Sequence, residues 1–177
     1  MRMPEHLETE RLVLRKPRLD DARAMFEGWT QDQEVTRYLT WRPHAQIEQT
    51  EQFVQSCIDA WQAETRFPYM ITLKDTDEVI GIIDPRIEGP KVVIGYGAAR
   101  VHWGNGYVPE ATRAIIDWAF QQPSIYRVYA TTDVENIASR RVLEKVGMQC
   151  EGILHKYILH PNISNTPRDS YMYAITK

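Results

Sequence analysis

The middle of the chain alternates short apolar runs with tight turns, and this pattern limits the possible folds more than any other feature. Residues 69–73, 79–87 and 92–98 have the length and the β-branched content of strands. The first turn contains Asp75-Thr76-Asp77 and the second contains Glu88-Gly89-Pro90, both of which are turn-forming sequences. The sequence therefore predicts an antiparallel meander of three strands.

The segments before and after this meander include stretches in which apolar residues recur at helical spacing. A strand at 12–14 precedes two helices, one opened by Asp20 and one that starts after Pro43. After the meander, a loop at 99–107 leads into a helix, and a strand, a helix and two strands complete the chain. The predicted order is β-α-α-β-β-β-α-β-α-β-β, a mixed α/β protein. No repeat or linker divides residues 1–177, so we expect a single domain.

Composition excludes several classes of protein. A chain of 177 residues buries a full core without disulfides or metals. Its formal net charge of −3 argues against direct nucleic-acid binding, which normally needs a basic surface. Cys57 and Cys150 have no pairing or metal-ligand spacing, and no apolar stretch has the roughly 20 residues of a membrane span. We therefore expect a cytoplasmic protein with free thiols, no metal and no membrane contact.

The segment Gly104-Asn105-Gly106 lies between a predicted strand and a predicted helix. Glycine lets the main chain approach a ligand closely, and a helix start offers unpaired N–H groups to an anion. This segment predicts a phosphate or pyrophosphate site, with an ordinary glycine-rich turn as the alternative. The dinucleotide fingerprint does not fit, because Arg100 stands where the third glycine of Gly95-Tyr96-Gly97 would follow.

Four short motifs recur in order along almost the entire chain. They are Leu7–Arg15; Ile94–Tyr96 followed by Trp103–Ala111; Glu135–Met148; and Glu151-Gly152 with the later Pro167–Tyr171. Together they resemble the GNAT superfamily of acyl-CoA-dependent N-acetyltransferases. The branch that they resemble most contains the bacterial ribosomal-protein N-terminal (alanine/serine) acetyltransferases.

The resemblance implies a fold and a cofactor position. It implies a GNAT-like α/β fold, with a central, mostly antiparallel, splayed sheet of about six to seven strands flanked by about four helices. It also implies that acetyl-CoA lies between the last strand of the meander and the strand at 127–132. The cofactor-binding residues implied are Gly97, Ala98, Ala99, Trp103, Gly104, Asn105, Gly106, Tyr107, Val108, Asn136 and Ser139. Arg100 or His102 are candidates to add charge near the phosphates.

For catalysis, the resemblance implies that Ser139 protonates the departing thiolate, although a small packing residue is an equal alternative there. Many relatives use a tyrosine seven residues after the asparagine as the acid, and that position is Leu143 here. Some relatives use a glutamate five residues before the asparagine as the base, and that position is Thr131 here. The general base is therefore not evident from the family pattern.

Two side chains and a water chain are the alternatives for the base. Asp84 interrupts an apolar strand and is our candidate to face the substrate, with an edge pair to Arg86 as the alternative. Glu110 suits the first turn of its helix, where a carboxylate favours the helix dipole, so we expect a structural role for it. A relay of water molecules is also compatible with the sequence.

The substrate is expected to contact the first two helices and their connection, together with the loop before the last strand. Trp29, Tyr38 and Trp41 cluster there and would suit an amine through cation–π contacts, with packing between helices as the alternative. His155, His160 and Asn162 are candidates to border the same cleft, and the alternative that we expect for them is a surface position.

These observations favour an enzyme that transfers an acetyl group from acetyl-CoA to a primary amine. The amine is either the N-terminus of a ribosomal or other protein, or a small molecule such as an amino acid, polyamine or antibiotic. A non-catalytic acyl-CoA-binding regulatory module is a further alternative, because the family tyrosine and glutamate are missing. Both a monomer and a homodimer agree with the sequence.

Overall fold

Eight strands form one sheet in the computed structural model, which describes all of residues 1–177. The strands are β1 (His6–Glu8), β2 (Leu12–Arg15), β3 (Tyr69–Leu73), β4 (Val79–Glu88), β5 (Lys91–Ala98), β6 (Arg127–Asp133), β7 (Gln149–Ile158) and β8 (Arg168–Thr176). Their order across the sheet is β1-β2-β3-β4-β5-β6-β8-β7. All neighbours are antiparallel except β5 and β6, which are parallel.

Five α-helices connect the strands. They are α1 (Asp21–Met25), α2 (Gln33–Thr36), α3 (Ile47–Gln62), α4 (Tyr107–Gln121) and α5 (Ile137–Lys145). A π-helical turn, Phe26–Thr30, directly continues α1. None of the helices is both long enough and apolar enough to cross a lipid bilayer.

The mixed α/β fold with its antiparallel meander is confirmed, and the strand and helix counts are corrected upwards. The additional strand is β1, which has only three residues and so shows too little alternation to be recognised in the sequence. The additional helix is α2, a single turn whose first N–H groups are capped by the Asp32 side chain, which accepts from the Glu34 N–H at 2.9 Å.

The sheet separates two hydrophobic clusters. Neighbouring residues of a strand point to opposite faces, so Ile83 belongs to one cluster and Ile82 to the other. The larger cluster includes Ala111 and Ile115 of α4, and the smaller one includes Val54 of α3. This burial holds the helices in place on both faces of the sheet.

The parallel pair β5 and β6 is joined over only part of its length. Lys91, Val92 and Val93 pair with Arg127, Val128 and Tyr129, and the pairing stops there. Beyond this point β5 stays paired with β4 as far as Ala98, and β6 stays paired with β8 as far as Asp133. The facing edges of the two strands therefore diverge, and the gap between them positions the candidate site.

Candidate active site

A cavity of about 600 Å³ occupies the gap between β5 and β6. This volume is typical of a small-molecule site, for which about 300–1,000 Å³ is usual. One wall comes from β5 and the other from β6: Ile94, Tyr96, Gly97, Ala98, Ala130, Thr131, Thr132 and Asp133. Because the edges of β5 and β6 have no strand partner on this side, their backbone groups are available to a bound molecule.

A glycine loop, residues 103–108, forms one end of the cavity. Gly104 and Gly106 have φ angles of +82° and +80°, which L-residues with a side chain rarely adopt. Gly106 is also the N-cap of α4, and the N–H groups of Tyr107 and Val108 make no hydrogen bond within the protein. These free N–H groups and the positive end of the helix dipole form a binding site for an anion.

The glycine loop is fastened to the turn between β1 and β2. Arg11 donates from Nη1 to the Asn105 carbonyl at 3.0 Å and from Nε to Glu110 Oε2 at 2.8 Å. Thr9 Oγ1 donates to Glu110 Oε1 at 2.6 Å. Burial would raise the pKa of Glu110, but the hydrogen bonds from Thr9 and Arg11 hold that pKa below its ordinary value. Glu110 is therefore an ionised structural anchor of the loop.

Ser139 and Tyr96 form a hydrogen-bonded pair inside the cavity. Asn136 Oδ1 accepts the Ser139 N–H at 3.1 Å, which caps α5 and places Ser139 in its first turn. The Ser139 hydroxyl lies 2.9 Å from the Tyr96 hydroxyl, which comes from β5. Burial raises the pKa of Tyr96 well above its ordinary value, and the hydrogen bond to Ser139 opposes this shift only in part. Tyr96 thus keeps its proton and can donate it to Ser139 as a hydrogen bond.

Three cationic side chains that were not predicted from the sequence line the cavity: Arg37, Arg141 and Lys145. Arg141 and Lys145 lie three and seven residues after Ala138, which also lines the cavity. This helical spacing places the three residues on one face of α5, and it is the signal in the sequence from which the two cations could have been found. Arg100 does not line the cavity and instead forms an ion pair with Asp32 at 3.0 Å. His102 does line it, with its Nε2 at 3.0 Å from Glu78 Oε1.

Most of the predicted cofactor residues line the cavity. They are Gly97, Ala98, Trp103, Gly104, Gly106, Tyr107, Val108, Asn136 and Ser139. Ala99 is buried outside it, and its N–H donates to the Ile80 carbonyl at 2.8 Å. Asn105 is also outside, because its side chain turns back to the His102 carbonyl at 3.2 Å.

Of the three aromatic residues expected at the substrate, the structure brings only Tyr38 to the cavity. Trp29 is 1% exposed and belongs to the smaller core cluster. Trp41 packs between Trp29 and Phe53, with ring centroids 6.5 and 5.8 Å away. Both tryptophans therefore pack the helices together, as in the alternative interpretation.

The loop between β7 and β8 reaches the cavity through His160, as predicted for the loop before the last strand, but this histidine is less exposed than expected. His160 and Asn162 were expected at the surface, but His160 is buried and lines the cavity. The Asn162 amide donates to the carbonyls of Thr36 and Trp41 at 2.7 and 2.8 Å, which ties this loop to the connection between α2 and α3. His155 is exposed as expected.

Asp84 lies away from the cavity, which removes the geometric basis for assigning it the role of base. Its Oδ2 accepts from Arg66 Nη1 at 2.8 Å and from Arg86 Nη2 at 3.3 Å. We expect Asp84→Asn to leave turnover within about twofold of wild type and to lower the free energy of unfolding by about 1.5–3 kcal/mol, the usual value of a hydrogen bond to a charged group. Steady-state kinetics and urea unfolding test this, and a loss of turnover in a folded variant would contradict it.

The match to a known protein family covers most of the chain. A family model described as an acetyltransferase (GNAT) domain matches residues 11–149. The chain belongs to the GNAT family of acetyltransferases. This confirms the resemblance drawn from the four motifs, and it makes the protein an acyl-CoA-dependent N-acetyltransferase.

Individual relatives of this GNAT enzyme agree over nearly full length. The uncharacterized N-acetyltransferase p20 of Bacillus licheniformis is 34% identical over 98% of this chain and 97% of its own. Among solved structures, the microcin C7 self-immunity acetyltransferase MccE, in complex with acetyl-CoA and AMP, has a TM-score of 0.85 at 22% identity, covering 99% of this chain and 98% of its own. RimL, a ribosomal L7/L12 alpha-N-protein acetyltransferase in complex with coenzyme A, has a TM-score of 0.84 at 21% identity, covering 97% and 98%. At such identities these two structures show the shared fold alone.

Proposed function

We propose that this GNAT enzyme transfers the acetyl group of acetyl-CoA to a primary amine within the cavity between β5 and β6. The observation that supports this proposal most is the layout of that cavity. It has an anion site at the glycine loop, open backbone edges along its walls, and a hydroxyl pair inside it. These features suit, respectively, the pyrophosphate, the amide-containing arm and the thioester of acetyl-CoA.

The residues present fit acetyl-CoA at its phosphates. A Cβ atom at Gly104 would meet no other heavy atom within 4 Å, so the space beside the loop is free for a ligand. We assign the free N–H groups of Tyr107 and Val108 to the pyrophosphate, and Arg141 and Lys145 to the remaining phosphate charge. The pantetheine arm would then follow the open edge of β5 at Gly97 and Ala98, towards Ser139.

The hydroxyl pair suits the leaving group of this reaction. The amine nitrogen forms a bond to the thioester carbon, the carbon–sulfur bond breaks, and the electron pair stays on sulfur. Because Tyr96 can donate to the Ser139 oxygen, the Ser139 hydroxyl proton is free to point at the sulfur. Ser139 then protonates the thiolate and recovers a proton from the nitrogen of the new amide, so the side chain is unchanged after each turnover.

The acceptor is a primary amine of one of two classes. RimL, by its name, acts on the N-terminus of a ribosomal protein, and the same class of acceptor suits a cavity whose lining includes the carboxylates of Glu34 and Glu135, the latter paired with Arg168 at 2.8 Å. A carboxylate attracts an ammonium group from solvent. A small amine satisfies the same chemistry.

Three properties stay predictions from the sequence. They are that the protein is cytoplasmic, that it contains no resident metal, and that it is a monomer or a homodimer.

We expect release of free thiol from acetyl-CoA when the enzyme is given a panel of peptides with free Ala or Ser N-termini and a panel of small amines. A thiol reagent measures release, and mass spectrometry identifies the acetylated product. The matched control for each peptide is the same sequence with an Nα-acetyl group, which has no amine to react. Release with peptides alone assigns a protein acceptor, and release with small amines alone assigns a metabolite or drug. Binding of acetyl-CoA without release in either panel would contradict the proposal and support the regulatory module.

A further inference from the structure

A histidine without a hydrogen-bond partner is buried in the wall of the cavity. His160 is 5% exposed, and neither of its ring nitrogens has a hydrogen-bond partner. Buried polar groups in folded proteins are nearly always hydrogen-bonded, so a buried imidazole with both nitrogens free is unusual. Its position in the cavity lining indicates that its missing partner is a molecule that binds there.

Two other buried hydroxyl groups in the same cavity also have no partner. They belong to Thr132 of β6 and Ser170 of β8, and these residues are 6% and 0% exposed. β6 and β8 are paired along this stretch, with Asp133 opposite Ser170. Together with His160, these hydroxyls form a polar part of the cavity that the acetyl-CoA assignments above do not use. An acceptor with an ammonium group and neighbouring polar atoms would satisfy them.

The position of His160 is held from several sides. Asn162 ties its loop to the connection between α2 and α3, as described above. The Tyr38 ring lies edge-on to the imidazole, with the ring centroids 6.4 Å apart. His160 Nε2 is 3.8 Å from Asp133 Oδ2, too far for a hydrogen bond but close enough for a charge interaction.

We infer that His160 is the general base that takes a proton from the ammonium group of the acceptor. The inference rests on the proposed acetyl transfer. The N–H bond of the ammonium breaks, its proton forms a bond to a free imidazole nitrogen, and the electron pair stays on the amine nitrogen for attack on the thioester. His160 then releases this proton to solvent. The second amine proton ends on sulfur through Ser139, so one proton leaves the enzyme per turnover.

The charges around His160 agree with this role. Burial lowers the pKa of His160, and the Asp133 carboxylate and the Leu39 backbone oppose this only in part, while Arg168 adds to the lowering. The imidazole is therefore neutral at pH 7 and able to accept a proton. Asp133 stays ionised because hydrogen bonds from Arg168, at 2.6 and 3.1 Å, outweigh the effect of burial on its pKa. The charge of Asp133 stabilises the imidazolium that forms. The other carboxylate in this charged cluster is Glu135, which lies 2.8 Å from Arg168.

The test compares His160→Gln with wild type at two pH values. The acceptor is a peptide with a free Ser N-terminus or, if only small amines are accepted, alaninamide. Without the base, the variant depends on amine that is already deprotonated in solution, and an α-amino group has a pKa of about 8. We expect kcat of the variant to be at least about 100-fold lower at pH 7, the usual contribution of a general base. At pH 9 we expect this loss to shrink by about tenfold, because the free fraction of an amine with a pKa of about 8 rises from roughly one tenth to roughly nine tenths.

The control variant is His155→Gln, which removes an exposed histidine near the end of β7 and should leave both rates within about twofold of wild type. Wild-type thiol release alone tests the proposed function, whereas the ratio of wild-type to variant rates at the two pH values tests the base. A His160→Gln enzyme as active as wild type at pH 7, or equally impaired at both pH values, would overturn the inference.

A measurement on the wild-type protein covers the case in which His160→Gln does not fold. The chain has five histidines, so their ring signals can be followed individually in an NMR pH titration, with single substitutions of the other four identifying the His160 signal by elimination. We expect the His160 imidazole to titrate below its ordinary pKa of about 6.5. A ring that is still protonated at about pH 7.5 would overturn the inference, because it could not accept a proton.

Discussion

Replacing Gly106 with valine is expected to weaken acetyl-CoA binding at least about 100-fold, or about 2.8 kcal/mol. Gly106 has a φ angle of +80°, and a Cβ atom there would approach Arg11 Nη2 at 3.5 Å. Valine resists this backbone conformation, so the loop must change shape and its N–H groups must turn away from the pyrophosphate. Losing two hydrogen bonds to a charged group, each worth about 1.5–3 kcal/mol, accounts for the effect. Isothermal titration calorimetry with acetyl-CoA measures it.

Gly89→Val is the matched control for this substitution. Gly89 has a φ angle of +63° in the turn between β4 and β5, and a Cβ atom there would meet nothing within 4 Å. Valine is therefore disfavoured at Gly89 for the same reason as at Gly106, because both positions have a positive φ angle. Unlike Gly106, Gly89 is not part of the cavity lining. We expect Gly89→Val to lower thermal stability and to leave acetyl-CoA affinity unchanged. An unchanged affinity in a folded Gly106→Val protein would show that the glycine loop does not hold the cofactor.

Ser139→Ala is expected to lower kcat by about 100-fold, the usual contribution of a positioned acid, and to leave acetyl-CoA affinity within about twofold. The hydroxyl lies beside Tyr96 inside the cavity, where it can meet the sulfur as the thioester breaks. Alanine is a better helix former than serine, so the loss cannot come from weaker helix propensity in α5. Steady-state kinetics and calorimetry separate the effects on turnover and binding.

Two further variants sharpen the Ser139 result. Ser56→Ala removes a hydroxyl from α3, where it donates to the Phe53 carbonyl at 2.7 Å outside the cavity, and should leave turnover unchanged. Tyr96→Phe removes only the group that orients the Ser139 hydroxyl, so we expect a loss of about tenfold, the value of one hydrogen bond. If Ser139→Ala turns over at the wild-type rate, Ser139 is a packing residue.

The order of strands and helices could be read from the sequence because its causes are local. Turn residues such as Gly89 and Pro90 and the alternation within β3 to β5 act over a few neighbouring positions. The short elements β1 and α2 were missed for the same reason, because three or four residues carry too little periodicity. The prediction of the fold class was correct despite these two omissions, since both elements lie outside the meander.

The part of the cavity that we propose holds acetyl-CoA was also accessible from the sequence. The glycine loop and the first turn of α4 are contiguous, and their anion-binding groups belong to the backbone. Asn136 and Ser139 lie one helical turn apart, so their shared face follows from the helix alone. Within this region the exceptions were Ala99 and Asn105, whose hydrogen bonds to Ile80 and His102 turn them away from the cavity.

By contrast, the part of the cavity that we propose binds the acceptor depends on contacts between residues far apart in the chain. Asp84 was a reasonable candidate until Arg66, 18 positions away, was seen to bind it. The loop of His160 was expected near the substrate but His160 itself at the surface, and hydrogen bonds from Asn162 to α2 and its connection, more than 100 positions away, help to hold this loop in the cavity wall. Local periodicity carries no information about such contacts.

The sequence by itself therefore determined the succession of elements, the glycine loop at the start of α4, and the family. Only the tertiary structure decided that β5 and β6 part after three residue pairs, and which polar side chains meet in the gap between them. Turns, helix starts and periodicity arise from forces within a few residues. The burial and the partners of Tyr96, Asp133 and His160 arise from the packing of β5, β6, β8 and α5, and a side chain acquires its chemistry from those neighbours.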